Sequence, residues 1–197
     1  MQVAFGTKAH SGWAALVVVG RDQARFVVVD RRRIELVEEA WGRQPYHAAE
    51  PLSAHDARAL LTRGIAAAHR QATRELRSAV KRAQSGQCRV TACAVLAGQP
   101  MPAWSIDEIL AVHFRMHKAE GVLFREALAA AATTCGLPLV SIPEKEIADH
   151  GGQALGLPVR EVDRAMKAIG TTVGAPWGRD QKDAALAAIV ALQRQGG

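Results

Sequence analysis

Short β-branched runs come first along the chain, and long helical periodicities follow. Residues 13–19 (WAALVVV) and 25–29 (RFVVV) are compact apolar stretches separated by Gly20-Arg21-Asp22-Gln23-Ala24, a pattern that predicts a hairpin. Residues 33–37 (RIELV) alternate apolar and polar positions, as a half-buried or edge strand does. Residues 41–54 carry a glycine, two prolines and no period, and read as a loop.

A long helix is predicted over residues 54–84. Ser53 followed by Asp56 resembles a capping box, and Gly86 closes the segment. Leu61, Ile65, Ala68, Ala72, Leu76 and Ala79 form one apolar stripe. Arg63, Arg70, Arg74, Arg77 and Lys81 form a second, nearly opposite stripe, about 27 Å long at the helical rise. Residues 88–96 (CRVTACAVL) have the length and composition of a buried strand. Ser105-Ile106-Asp107-Glu108 starts a second long helix running to about Thr134, with Gly136 placed as its C-terminal cap. Residues 139–142 (LVSI) read as the last strand, and helices over 159–169 and 180–194 complete the chain. The order β-β-β-α-β-α-β-α-α predicts an α/β fold: a mixed five-stranded sheet flanked by helices, one domain over residues 1–197.

Composition narrows the setting. Apolar residues are 49% and charged ones 22%, the mix of a globule and not of a disordered tail. No apolar run reaches the roughly 18–20 residues that cross a bilayer, so no membrane partner is expected. The opening MQVAFGTKAH has no basic segment followed by an apolar stretch, so no secretory signal is expected either. Cys88, Cys93 and Cys135 are odd in number and form no CxxC pair, which points to a reducing, cytoplasmic setting. With 25 Lys and Arg against 19 Asp and Glu the chain carries a formal charge of +6, a weak bias toward polyanions.

Candidate chemistry falls in three places. His113, His117 and Glu120 sit at i, i+4 and i+7 on one helix face with Ile109, Phe124, Ala127 and Leu128, so they are expected on the core side. Imidazoles with a carboxylate suit a zinc-like ion or acid–base work, and equally a hydrogen-bonded network. Asp180 and Asp183 head the last helix, where they can cap it, hold a metal or line a polar pocket. The stripe of Arg63, Arg70, Arg74, Arg77 and Lys81 can follow a phosphate backbone or simply be a solvated face. Arg31-Arg32-Arg33 adds positive charge at a strand boundary. Trp104 and Trp177 lie beside helix starts, as stacking or packing residues. Residues 170–178 (GTTVGAPWG) form a flexible loop and not a phosphate-binding one.

The element order, with several local matches, resembles the ribonuclease H-like fold and RuvC-type Holliday-junction resolvases in particular. The matching pieces are CRVTACAVLAGQP, Lys118-Ala119-Glu120-Gly121, residues 136–143 (GLPLVSIP), residues 162–169, and Asp180-Gln181-Lys182-Asp183 with the alanine-rich helix after it. Gly12-Trp13-Ala14 resembles the family's turn into its first hairpin. The resemblance implies a DNA substrate more than an RNA one, and a homodimer. It also implies two divalent ions, Mg²⁺ or Mn²⁺, held by four carboxylates: one in the first strand, one at the end of the fourth, and the helical pair. Here residues 3–10 offer only Thr7, Lys8 and His10, Ala97-Gly98-Gln99 stands where the fourth-strand acid belongs, and only Asp180 and Asp183 match. The leading expectation is a protein that binds structured or branched DNA with little or no standard two-metal cleavage. One alternative is an active metal-dependent endonuclease with a rearranged site of Asp180, Asp183, Glu120, His113 and His117. Another is a non-catalytic protein-interaction module.

Overall fold

The computed structural model describes residues 1–23 and 25–195. Three antiparallel strands open it: β1 (Gln2–His10), β2 (Trp13–Asp22) and β3 (Arg25–Glu35). A short 3-10 turn (Ala40–Arg43) and helix α1 (Pro45–Ala49) lead into the long α2 (Ala54–Ser85). Strand β4 (Arg89–Ala97) is followed by α3 (Ile106–Leu110), α4 (His113–Thr134) and β5 (Leu139–Pro143). Helices α5 (Ile147–Leu155), α6 (Val159–Thr171) and α7 (Arg179–Arg194) close the chain. The sheet order is β3-β2-β1-β4-β5, with β4 and β5 parallel to β1. The expected mixed five-stranded α/β architecture is present.

Strand alternation decides which helix meets which residue. Val3 and Phe5 of β1 join Leu16, Cys93 and Val95 in a core closed by α2 and α4. Ala4, with Val17, Ala92 and Ala94, faces α7 on the other side. Helix α7 is buried all round from Ala184 to Leu192, because α5 packs on its outer side. Gly6 lets α7 approach this closely: a Cβ there would fall on the carbonyl oxygen of Ala184. Gly6, Lys8 and His10 continue the α7-facing series of Ala4, so the polar end of β1 points at the start of α7.

Several elements differ from the sequence expectation. Strand β1 carries no long apolar run, because its α7 face is Ala, Gly, Lys and His. The separate strands expected at 25–29 and 33–37 are one strand, β3. Asp30-Arg31-Arg32-Arg33 looks like a break but lies on a sheet edge, where charge is tolerated and discourages edge-to-edge pairing. The loop over 41–54 contains α1, and α5 forms where the pattern predicts no element. The helix expected from Ser105 to Thr134 is split at Val112, whose φ of −140° and ψ of 112° are extended. The capping box at Ser105 and Glu108 is as expected.

Candidate functional site

The end of β1 meets the first turns of α7 in a charge cluster. Lys8, whose side chain is 7% exposed, directs its ammonium at three carboxylates: Asp183 at 2.7 Å, Glu144 at 3.1 Å and Asp180 at 3.4 Å. Burial alone would lower the Lys8 pKa, but the hydrogen bonds and negative charge of Asp183 and Glu144 outweigh it and hold the ammonium above its ordinary 10.5. For Glu144, burial pushes the carboxyl up, while Lys8 and then Arg125 bring it below its ordinary 4.5. Arg125 Nη2 donates to Glu144 at 3.2 Å and Nη1 to the Gly121 carbonyl at 3.0 Å. His10 stacks on Trp13 with centroids 4.2 Å apart, and its Nε2 lies 3.1 Å from Asp180 Oδ2.

The two regions where acids were expected and not found hold cations, Lys8 on the α7-facing side of β1 and Arg125 beside the end of β4. Thr7 is fully buried and donates to the Ala94 carbonyl at 3.0 Å. At the end of β4, a Cβ on Gly98 would run into the Arg125 guanidinium, so a cation occupies the space an acidic side chain would use. Asp180 is not the N-cap of α7. Gly178 is, its N–H donating to Gln181 Oε1 at 2.9 Å, which leaves both aspartates to face Lys8.

This donor set does not fit a pair of magnesium or manganese ions. Three carboxylates would supply the charge, but Lys8 already lies within 2.7–3.4 Å of all three, and Arg125 shares Glu144. A divalent ion here would meet an ammonium at contact distance. The fixed cation neutralises the acids that a metal would otherwise bridge.

The five-residue constellation of Asp180, Asp183, Glu120, His113 and His117 does not form one network. Asp180 and Asp183 join Lys8, whereas Glu120 is 2% exposed and accepts from His47 Nδ1 at 2.8 Å. His113 and His117 are exposed and not on the core side, because the break at Val112 puts them on the first two turns of α4, beside α1. Their Nε2 atoms are 3.2 Å apart, and His47 completes the group. Sequence reasoning missed Glu144, Arg125 and His47. A lone lysine on a helix-facing strand position was the available signal for Glu144, since it demands carboxylate partners, and Arg125 had none. His47, in a segment read as loop, offered none.

The basic stripe is as exposed as its spacing implies. Arg63, Arg70, Arg74, Arg77 and Lys81 all face solvent, on the opposite side of the sheet from α7. Arg70, Arg74, Arg77 and Lys81 line a groove with Ala130 and Thr134 of α4, and Arg74 pairs with Glu38 at 2.9 Å. The Arg31–Arg33 run has local partners. Arg31 donates to the carbonyls of Val173, Ala175 and Pro176, Arg32 pairs with Asp30, and Arg33 pairs with Glu35 and lies over Trp13. The segment over 170–178 is therefore tied to β3. Trp177 donates to the Met166 carbonyl at 2.8 Å and packs in the α7 core, whereas Trp104 lies under Arg115 and Lys118.

Among the described residues no helix is long and apolar enough to cross a membrane. No protein-family model matches the chain, and no curated protein does. Solved structures match nearly end to end, two of RuvC among them. One is RuvC from Thermus thermophilus, at 15% identity and a TM-score of 0.53, covering 98% of this chain and 96% of that one. The other is T. thermophilus RuvC in complex with a Holliday junction substrate, at 13% identity and a TM-score of 0.52, covering 98% and 94%. The fold is RuvC-like and ribonuclease H-like.

Proposed function

We propose that this chain binds structured or branched DNA on a resolvase-type fold without two-metal cleavage. The observation that carries this reading is the Lys8 ammonium seated among Asp183, Glu144 and Asp180 at 2.7–3.4 Å. In-line phosphodiester cleavage by two metals needs a concentrated negative site to hold both ions. Here the protein's own cations take that place. The acids serve as anchors between β1, β5 and α7.

Affinity for nucleic acid is assigned to α2. Its five cations are spaced along one solvent-facing ridge, suited to sequence-independent contact with phosphates. Branched DNA is the probe of choice because the structural neighbour was captured with a Holliday junction substrate. The test titrates four-way-junction and linear duplex DNA at two salt concentrations, then incubates each with Mg²⁺ and with Mn²⁺. Binding that weakens steeply with salt, prefers the junction and leaves the strands intact is the expected result. Metal-dependent nicking would overturn the loss of cleavage, and affinity indifferent to salt would overturn the phosphate-binding role.

A further inference from the structure

The first two turns of α4 and the short helix α1 bring three imidazoles together away from the Lys8 cluster. One ligand nitrogen from each of His47, His113 and His117 falls within 4.8 Å of the others, and the ring centroids are 4.4–4.9 Å apart. The spacing of His113 and His117 by four residues places both on one helix face, the arrangement in which two helical histidines share a metal. Their Nε2 atoms are already 3.2 Å apart, against the about 3.3 Å that two nitrogens subtend at a tetrahedral zinc with Zn–N near 2.05 Å.

His47 supplies the decisive detail. Its Nδ1 faces the Glu120 carboxylate at 2.8 Å, and its backbone N–H donates to the same oxygen at 3.3 Å. A carboxylate only accepts, so Nδ1 carries a proton, and in the neutral ring Nε2 is left with its lone pair. That Nε2 is buried and has no hydrogen-bond partner among the described residues. A carboxylate behind a histidine whose far nitrogen is bare is the outer-shell arrangement that orients metal-binding imidazoles. A proton shared between His113 and His117 leaves His47 Nε2 unpaired.

We propose that His47, His113 and His117 form a binding site for a zinc-class transition-metal ion, with Glu120 as the positioning residue behind His47. Three nitrogen donors select zinc and its first-row neighbours over magnesium, manganese or calcium, which prefer oxygen. The exposure of His113 and His117 leaves a fourth position open to solvent. The ion would pin α1 to the start of α4, where Tyr46, Ala49 and Met116 already pack together. The site shares no side chain with the Lys8 cluster, so its failure and the failure of the DNA-binding reading are separable.

The test uses the full chain without an affinity tag, stripped with chelator and dialysed against Zn²⁺, then read by metal analysis and by the visible spectrum of the Co²⁺ form. Expected are about one zinc retained per chain, intense absorption of near-tetrahedral cobalt, and no displacement by excess Mg²⁺. The double substitution His113→Ala and His117→Ala, at exposed positions, should abolish both signals while circular dichroism stays unchanged. Glu120→Gln should weaken zinc binding by roughly 10–100-fold. Zinc retained equally by the double variant, or no stoichiometric binding by the native chain, would overturn the proposal.

Discussion

Lys8 Nζ and Asp183 Oδ2 lie 2.7 Å apart, joining the end of the central strand to the second turn of the most buried helix. The bond is charge-assisted, and Lys8 is nearly excluded from water. Glu144 and Asp180 complete the shell around the same ammonium. One side chain thereby ties together β1, the end of β5 and α7.

The stability of the protein should follow the titration of this cluster at both extremes. The Lys8 pKa is raised in the folded state, so its contribution is fully present below 10.5 and is lost as pH rises through the higher folded value. The Glu144 pKa is lowered, so its contribution is present above 4.5 and is lost as pH falls through the lower folded value. Urea unfolding at a series of pH values should show a plateau between those limits. Lys8→Met should flatten the alkaline limb and shrink the acid one. An unchanged profile would show that the cluster contributes nothing to folding.

Removing the ammonium should also change how the site treats external cations. Lys8→Met leaves Asp180, Asp183 and Glu144 without their shared partner. The expected cost is about 1–3 kcal/mol, below the value for a fully buried pair because the acids are 20–31% exposed. Millimolar Mg²⁺ or Ca²⁺ should then raise the Tm of the variant and leave the native protein unchanged. Equal shifts in both would show that Lys8 does not block the site.

Gly6→Ala should be among the most damaging single substitutions in the chain. The new methyl would land on the Ala184 carbonyl oxygen, a backbone atom of a helix packed on its far side by α5. Helix α7 has no room to retreat, so the expected loss is about 3 kcal/mol or more. Chemical denaturation measures it, and a loss under about 0.5 kcal/mol would mean that α7 can shift freely.

The parts of this architecture legible in the sequence were those with strong local signals. The apolar stripe of α2, the Ser105–Glu108 capping box and the β-branched run of β2 each declared their element. Strand β1 did not, because Gly6, Lys8 and His10 meet a helix from the far end of the chain, and their fitness as strand residues depends on that packing. The chemistry divides the same way. The loss of two acids could be read from residues 3–10 and 97–99, but their replacement by Lys8 and Arg125 could not. Glu144 and Arg125 come from different elements and meet only in the folded sheet. His113 and His117 were visible as a pair, whereas the one extended residue that exposes them, Val112, leaves no mark on a helical period.

Arg31 should act as a clamp and not as a phosphate ligand. Its guanidinium reaches three carbonyls between Val173 and Pro176, holding the loop before α7 against β3. Arg31→Ala should cost about 1–2 kcal/mol and raise amide exchange in residues 171–178, with DNA affinity changed far less than by substitutions on α2. Unchanged exchange in the loop would exclude the clamp.

Charge reversal along α2 gives the sharpest reading of the DNA-binding surface. Arg70, Arg77 and Lys81 are exposed, and no ion pair with an acidic side chain engages them among the described residues, whereas Arg74 already pairs with Glu38. Every phosphate that is no longer neutralised should lower the slope of log affinity against log salt by about 0.9 for duplex DNA. The triple variant Arg70→Glu, Arg77→Glu and Lys81→Glu should therefore lose roughly 2–3 units of slope and bind junction and linear DNA more weakly by similar factors. Arg74→Glu alone should do less, since part of its charge is committed to Glu38. These side chains point away from the sheet, so stability should change by less than about 0.5 kcal/mol per site. A slope that survives the triple reversal would move the DNA to another surface and leave the α2 stripe as a solvated helix face.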